Sequence, residues 1–145
     1  MRVEITNQVF DPYQKVQDYQ QQLEKKLGLG QYGATVLFVG SMRDFNEDHN
    51  VTAMELEYYP GMTESALEEI CKEAKNKFSI IDSLVVHRVG SIQPNSPIVL
   101  VAVWSAHRAA GYDANRFIME ALKSKAPFWK KETTPNGTKW VDKNT

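Results

Sequence analysis

The sequence predicts an α+β domain in which helices pack on a mostly antiparallel β-sheet. Three helical segments alternate with short segments typical of strands, in the order β-α-β-β-α-β-β-α-β-β. Because strands come in pairs between the helices, we expect antiparallel neighbours with the helices on one side of the sheet. The chain of 145 residues is 42% hydrophobic and 24% charged, which is typical of a single globular domain over residues 1–145.

The first helix has clear start and stop signals. Asp11 is suited to cap the N-terminus, Pro12 fits the first helical position, and Gly28 predicts the end of a helix that runs to Leu27. A glycine-bounded apolar run then predicts a strand, and a polar loop from Ser41 to Asn50 leads to an alternating strand. The strands in this half are predicted at residues 2–6, 33–40 and 51–59.

The second half contains two more helices and a hairpin. A helix is predicted from Thr63 to Phe78, because apolar side chains recur along one face. The run from Pro97 to Ala106 is almost continuously apolar, which predicts a strand covered on both faces. The last helix is expected over Ala109–Lys125, where Pro127 ends it, and Asn136-Gly137 predicts a C-terminal β-hairpin. The remaining strands are predicted at residues 83–90, 128–134 and 138–142.

The composition excludes several classes of protein. No apolar run approaches the ~18 residues that a membrane helix needs, and the first residues lack the apolar core of a signal peptide. We therefore expect a cytoplasmic protein without a membrane segment. Cys71 is the only cysteine, which excludes an internal disulfide framework and a multi-cysteine metal site. It lies in the apolar stripe of the second helix, so a buried structural role is expected.

Basic residues are concentrated near the C-terminus. Residues 107–131 contain six lysines and arginines against two acidic residues, in a chain whose net charge is −1. A compact basic patch on a nearly neutral protein favours a small anionic ligand or an acidic protein segment over nucleic acid. An RNA-binding domain that stacks bases on Phe128 and Trp129 is an alternative, and it predicts oligonucleotide binding with a steep salt dependence.

The lysines of this segment differ in their predicted exposure. Helical periodicity places Lys123 on the exposed face of the last helix, beside Arg116. A solvated lysine near a helix C-terminus is then the simplest interpretation, and a functional role requires another surface, such as a second subunit, to enclose it. Lys130 and Lys131 are neighbours on a predicted strand, so their side chains should point to opposite faces.

Three other basic sites are candidates of unequal weight. His107 and Arg108 lie where a strand ends and a helix begins, and the free backbone N–H groups there favour an anion. A binding role and a structural role are equally supported at this pair. His87-Arg88 lies within a strand, where a structural interpretation is favoured. Arg43 follows a glycine-bounded strand, and one arginine in a polar loop is usually solvated.

Five segments of the chain together resemble the large, catalytic subunit of molybdopterin synthase, an enzyme of molybdenum-cofactor biosynthesis. They occur in the family's order and spacing, and the resemblance covers nearly the whole chain. The segments are Val-Gly-Ser-Met-Arg at 39–43, Leu-Glu-Tyr-Tyr-Pro-Gly-Met at 56–62, His-Arg-Val-Gly at 87–90, Ser-Ala-His-Arg at 105–108 and Leu-Lys-Ser-Lys-Ala-Pro-Phe-Trp-Lys-Lys-Glu at 122–132.

The resemblance implies an α/β hammerhead-type fold and a sulfurtransferase activity. The substrate would be cyclic pyranopterin monophosphate, which becomes molybdopterin when two sulfurs are inserted as a dithiolene. The donor would be the C-terminal Gly-Gly thiocarboxylate of a small ubiquitin-like subunit, and the chain would form a homodimer within a heterotetramer. No metal or organic cofactor is needed for that step, and no nucleic acid or membrane is involved.

The resemblance also implies which residues act. The essential lysines of the family fall on Lys123 and Lys130, where lysine can stabilise developing negative charge or move a proton. Arg43, His107 and Arg108 match the family's substrate-binding positions, and some of them would come from the other subunit. Further substrate-binding contacts would come from the flanking residues Ser41, Met42, Lys131 and Glu132.

Two segments depart from the family pattern. The loop at 44–50 is acidic and lacks a glycine that many relatives carry, and Gly111 costs the last helix up to about 1 kcal/mol relative to alanine.

A non-catalytic module that binds a ubiquitin-like C-terminal tail is the alternative function. Binding of a pterin phosphate that is lost on Arg108→Ala would distinguish the enzyme from such a module.

Overall fold

The computed structural model describes residues 1–43, 45–46, 49–50 and 52–141, and it confirms the predicted α+β class. Within these residues the chain forms three helices and ten strands. The helices are α1 (Pro12–Leu27), α2 (Met62–Phe78) and α3 (Arg108–Lys125). The strands are β1 (Arg2–Thr6), β2 (Ala34–Ser41), β3 (Phe45–Asn46), β4 (His49–Asn50), β5 (Ala53–Tyr58), β6 (Asp82–Arg88), β7 (Gly90–Ile92), β8 (Pro97–Ser105), β9 (Phe128–Thr134) and β10 (Gly137–Val141).

The first sheet has the strand order β1-β6-β8-β2 and contains most of the core. β1 pairs with β6 in parallel, whereas β6 with β8 and β8 with β2 are antiparallel. Successive residues of β8 face opposite sides, and all of them from Val99 to Ser105 are buried. The prediction that this strand is covered on both faces is confirmed.

Helices lie on both faces of the first sheet, so the expectation of helices on one side was wrong. Tyr19 and Leu23 of α1 pack with Trp104 on one face. Leu67 of α2 and Ile118 of α3 belong to the cluster on the other face. The physical reason is the sequence of β8 itself, because a strand that is apolar on both faces needs cover on both.

The second sheet has the order β10-β9-β5-β7, and the chain returns to it from the first sheet at Gly90. We predicted one strand over residues 83–90, but β6 ends at Arg88 and β7 begins at Gly90 in the other sheet. Gly90 has φ +85°, a conformation that favours glycine and that redirects the chain between the sheets.

The predicted signals for α1 are confirmed. The Asp11 carboxylate accepts hydrogen bonds from the backbone N–H groups of Tyr13 at 2.9 Å and Gln14 at 3.3 Å, and Pro12 is the first helical residue. Gly28 ends the helix with φ +88°. α2 and α3 each begin one residue before the predicted position, at Met62 and Arg108.

The C-terminal hairpin is confirmed as the antiparallel pair β9 and β10, with Gly137 facing Thr134. Asp142, at the end of the predicted strand, lies outside the described residues. Within the predicted polar loop, β3 and β4 form a short antiparallel pair, while residues 44, 47 and 48 lie outside the described part. Searched over the described residues, no helix has the length and hydropathy required to span a membrane.

Candidate active site

A cavity of about 320 Å³ lies between the first sheet and the C-terminal half of α3. Three of the residues that line it are register partners on adjacent strands: Gly40 on β2 faces Val99 on β8, which faces His87 on β6. These three residues form the floor of the cavity. Only glycine fits at position 40 without a shift of its neighbours, because a Cβ there would come within 2.9 Å of a Val99 methyl carbon. We call this space the Lys123 cavity.

The opposite wall and the rim of the Lys123 cavity carry its cations. Met119, Leu122 and Lys123 line it from α3, and Ser41 and Arg43 line it from the end of β2. The sequence predictions for Lys123, Arg43 and Ser41 therefore converge on one space within a single chain. The remaining lining residues are apolar side chains, Phe38 and Ile98.

Lys123 is the cation most affected by this environment. Burial lowers the pKa of its ammonium group, and the positive charges of Lys130 and Arg43 lower it further, while Glu120 acts in the opposite direction. Periodicity correctly placed part of Lys123 on the exposed face of α3. The sequence required another surface, such as a second subunit, to enclose Lys123, and the first sheet of the same chain supplies one, because Lys123 lines the cavity between that sheet and α3.

Lys130 and Lys131 point to opposite faces of β9, as predicted. Lys130 lies on the inner face with Glu132, and its ammonium nitrogen is 3.4 Å from a Glu132 carboxylate oxygen. Both side chains are almost fully buried, at 11% and 5% exposure. Lys131 lies on the outer face, where its ammonium group sits 5.6 Å from the centre of the Trp140 ring. Lys131 does not line the Lys123 cavity.

Met42 is placed by its backbone rather than by its side chain. Its N–H donates to the Ser96 carbonyl at 2.9 Å, and its own carbonyl accepts from the Asn95 N–H at 2.8 Å. The side chain is buried with Met54, Leu56 and Ile92. Met42 therefore fixes the end of β2, which carries Ser41 and Arg43 on either side of it.

His107 and Arg108 lie far from the cavity of their own chain. They are exposed at the N-terminus of α3, and fifteen residues at about 1.5 Å each put Arg108 roughly 22 Å from Lys123 along the helix axis. The strand register agrees, because β2 begins opposite Ser105 and ends at the cavity opposite Pro97. A single chain therefore does not bring His107 and Arg108 to the Lys123 cavity.

His87 lines the Lys123 cavity, and only 4% of the residue is exposed. A structural role was favoured from the sequence, and the burial of His87 and its hydrogen bond to the Arg88 carbonyl agree with that role. Burial lowers the pKa of His87 to about 4, against the effect of its hydrogen bond to the Arg88 carbonyl, and the Lys123 charge lowers it further. The cross-strand register with Gly40 is the relevant signal, and a single sequence does not show register. Arg88 points to the other face, where Nη2 donates to the Ser91 carbonyl at 2.9 Å.

Comparison with known proteins decides the family. Residues 6–125 match the family model described as "MoaE protein". The chain belongs to the MoaE family. A Ralstonia nicotianae protein named molybdopterin synthase catalytic subunit is 52% identical over 117 residues, which are 81% of this chain and 66% of that protein. A Pseudomonas aeruginosa protein of the same name is 44% identical over 142 residues, 98% of this chain and 91% of that protein.

Two solved structures share this fold. The crystal structure of molybdopterin synthase from Staphylococcus aureus superposes with a TM-score of 0.81 at 31% identity, covering 95% of both chains. A complex of subunits 1 and 2 of molybdopterin-converting factor from Helicobacter pylori has a TM-score of 0.78 at 20% identity, covering 99% of this chain and 92% of that chain, and this likeness concerns the fold. The resemblance read from the sequence and the prediction of an enzyme are confirmed by these relatives.

The structure also bears on Cys71 and on metal binding in this MoaE-family chain. Cys71 is buried in the core cluster that includes α2, and burial raises the pKa of its thiol to about 11, which agrees with a structural role. Among the residues that the structure describes, no cluster of three or more His, Cys, Asp or Glu side chains could hold a metal ion.

Proposed function

We propose that this chain, as a single domain, is the catalytic subunit of a cytoplasmic molybdopterin synthase. It converts cyclic pyranopterin monophosphate to molybdopterin by inserting two sulfurs as a dithiolene. The observation that carries the proposal is the Lys123 cavity, in which a partly buried lysine and Arg43 line one space in a chain of the MoaE family. The reaction is inferred from membership of the family. Binding of a phosphate-bearing substrate is inferred from the cations that line the cavity.

The sulfur donor in this proposal is the C-terminal Gly-Gly thiocarboxylate of a small ubiquitin-like subunit. The name of the relatives, catalytic subunit, implies a partner, and a thiocarboxylate is an anion that suits a cavity with two cations. Gly40 lies on the edge strand of the first sheet and lines the cavity, so an extended tail can approach from that edge. Each transfer replaces the sulfur of one thiocarboxylate with an oxygen atom, from water or from the substrate position that takes up the sulfur. Two donor tails are therefore consumed, and left as carboxylates, for each dithiolene.

Lys123 is the residue placed closest to the sulfur transfer. Its ammonium group stabilises the negative charge that develops on the tail and the substrate as sulfur moves. Because its pKa is lowered, it also loses and regains a proton more readily than an exposed lysine. Lys130 acts as its electrostatic partner, and the ion pair with Glu132 holds Lys130 on the inner face of β9.

The substrate site requires a second copy of the chain. Arg43 lines the cavity, whereas His107 and Arg108 are exposed roughly 22 Å away along α3. We propose a homodimer in which the partner copy supplies His107 and Arg108 to grip the substrate phosphate, with one small subunit at each end of a heterotetramer. In this arrangement Ser41, Met42, Lys131 and Glu132 flank or support the substrate site.

Replacing Lys123 tests the proposed catalytic role. We expect Lys123→Ala to reduce dithiolene formation at least ~100-fold, which is the scale of a lost acid–base or charge-stabilising group. The reaction is measured with purified protein, thiocarboxylated small subunit and pterin precursor, and binding of the small subunit is measured separately. Lys125→Ala, in the same helical turn but outside the cavity lining, is the matched control and should keep full activity. Full activity of a correctly assembled Lys123→Ala enzyme would refute the assignment.

A further inference from the structure

His87 is held in one orientation on the floor of the Lys123 cavity. Its ring stacks on the Phe128 ring, with centroids 3.9 Å apart and planes 15° from parallel. Its Nδ1 lies 2.8 Å from the Arg88 backbone carbonyl oxygen. Stacking fixes the plane of the ring, and the hydrogen bond fixes its rotation within that plane. The His87 ring that lines the cavity therefore has one fixed orientation.

The hydrogen bond also fixes the tautomer. A carbonyl oxygen only accepts, so the hydrogen must be on Nδ1 of His87. In a neutral imidazole with Nδ1–H, the other nitrogen, Nε2, carries a lone pair and is an acceptor. Since Nδ1 is already bonded, Nε2 is the nitrogen that remains for a ligand in the cavity.

An acceptor is distinctive among the polar side chains that line this cavity. Lys123 and Arg43 only donate, and Ser41 can do either from the rim. Among the described lining residues, His87 is the one side chain that offers an acceptor from the buried floor. A peptide that enters the cavity brings backbone N–H groups, and a buried N–H without an acceptor is costly.

We propose that Nε2 of His87 accepts a hydrogen bond from a backbone N–H of the glycine tail bound in the Lys123 cavity. The inference rests on the proposed function, which brings that tail to this cavity. Gly40, Val99 and His87 lie on three adjacent strands, so the floor is about 10 Å wide from the edge strand to His87. Three extended residues span about 10 Å, so a tail that enters over Gly40 reaches the imidazole.

Two substitutions of His87 distinguish the effect of its hydrogen-bond acceptor from the effect of its aromatic ring. His87→Phe keeps an aromatic ring for stacking on Phe128 but removes the acceptor, whereas His87→Gln restores an acceptor of similar reach. Affinity is measured for the organism's own small subunit, in its carboxylate form, with the intact tail and with the last two glycines deleted. We expect His87→Phe to weaken binding of the intact tail about five- to tenfold, the usual effect of one hydrogen bond. The truncated subunit should bind wild type and His87→Phe equally, and His87→Gln should stay within about threefold of wild type.

Several outcomes would overturn this role for His87. Unchanged affinity of His87→Phe for the intact tail would do so, as would an equal loss for the truncated subunit or a failure of His87→Gln to rescue binding. If His87→Phe does not fold, nitrogen NMR of the ring in the wild-type chain decides. We expect a protonated Nδ1, and an Nε2 resonance that moves when the intact subunit binds but not when the truncated one does; a protonated Nε2 contradicts the proposal. Failure of wild type to bind the small subunit would instead contradict the proposed function.

Discussion

Lys130 and Glu132 form an ion pair on the apolar inner face of the second sheet. Their register partners on β5 are Leu56 and Met54, which are both buried. Removing two charges from water is costly, and the mutual attraction offsets this cost only while both partners are present. The ion pair therefore adds little net stability. Its main effect is to hold Lys130 in an apolar environment beside Lys123.

Neutralising Glu132 should be strongly destabilising. We expect Glu132→Gln to lower the free energy of unfolding by about 2–4 kcal/mol, because it leaves the buried Lys130 charge without its carboxylate. Urea denaturation measures this change. Glu57→Gln, an exposed glutamate on the outer face of β5, is the control and should change stability by less than ~0.5 kcal/mol. Equal, small effects of both substitutions would show that the pair is not coupled to folding.

Among the elements, α3 determines the geometry of the site. It lies close to β2 and β8, and Asn115 joins it to both strands by donating from Nδ2 to the carbonyls of Val36 and Val101, each at 3.0 Å. Gly111 permits this approach, because a Cβ there would lie 2.8 Å from Ser105 Oγ and 2.9 Å from a Val36 methyl carbon. The glycine that the sequence marks as a cost to the helix is explained by this contact.

Adding one methyl group at Gly111 tests this close packing. Alanine favours the helix by up to about 1 kcal/mol, but overpacking against buried groups usually costs about 1–3 kcal/mol. Ser105 is itself held, since its hydroxyl donates to the His107 carbonyl at 2.6 Å. We therefore expect Gly111→Ala to lower the free energy of unfolding by about 1 kcal/mol, measured by thermal denaturation. Asp113→Ala, exposed on the same helix, should be nearly neutral, and a Gly111→Ala protein more stable than wild type would contradict the packing argument.

The ends of many helices and strands could be predicted from the sequence, because they depend on residues next to them in the chain. Asp11, Pro12 and Gly28 bound α1 by capping and by φ preferences, and no distant contact is needed to read them. The split at Gly90 and the placement of helices on both faces depend on which strands pair, and pairing is a long-range property. The same limit applies to the site. Lys123 and Arg43 carry family signals, while His87 depends on the register of three strands.

At the scale of the whole molecule, the predicted residues fall into two groups on one chain. The charges of Lys130 and Arg43 act on Lys123 at the C-terminal end of α3, whereas His107 and Arg108 are exposed at its N-terminal end. In a dimer with a twofold axis, the two ends of α3 can meet across the interface, since each copy offers what the other lacks. The proposed working site is therefore composite, built from residues of both copies.

Mixing two inactive variants tests the composite site directly. In a mixed dimer of Lys123→Ala and Arg108→Ala chains, one site carries both substitutions and the other carries neither. Random exchange of subunits makes half of the dimers mixed, so about a quarter of the wild-type sites, and of the wild-type rate of dithiolene formation, should be recovered. If each site were built within one chain, every site would keep one substitution. A mixture with confirmed mixed dimers and no activity above that of the parent variants would show that the site is not shared between the two copies.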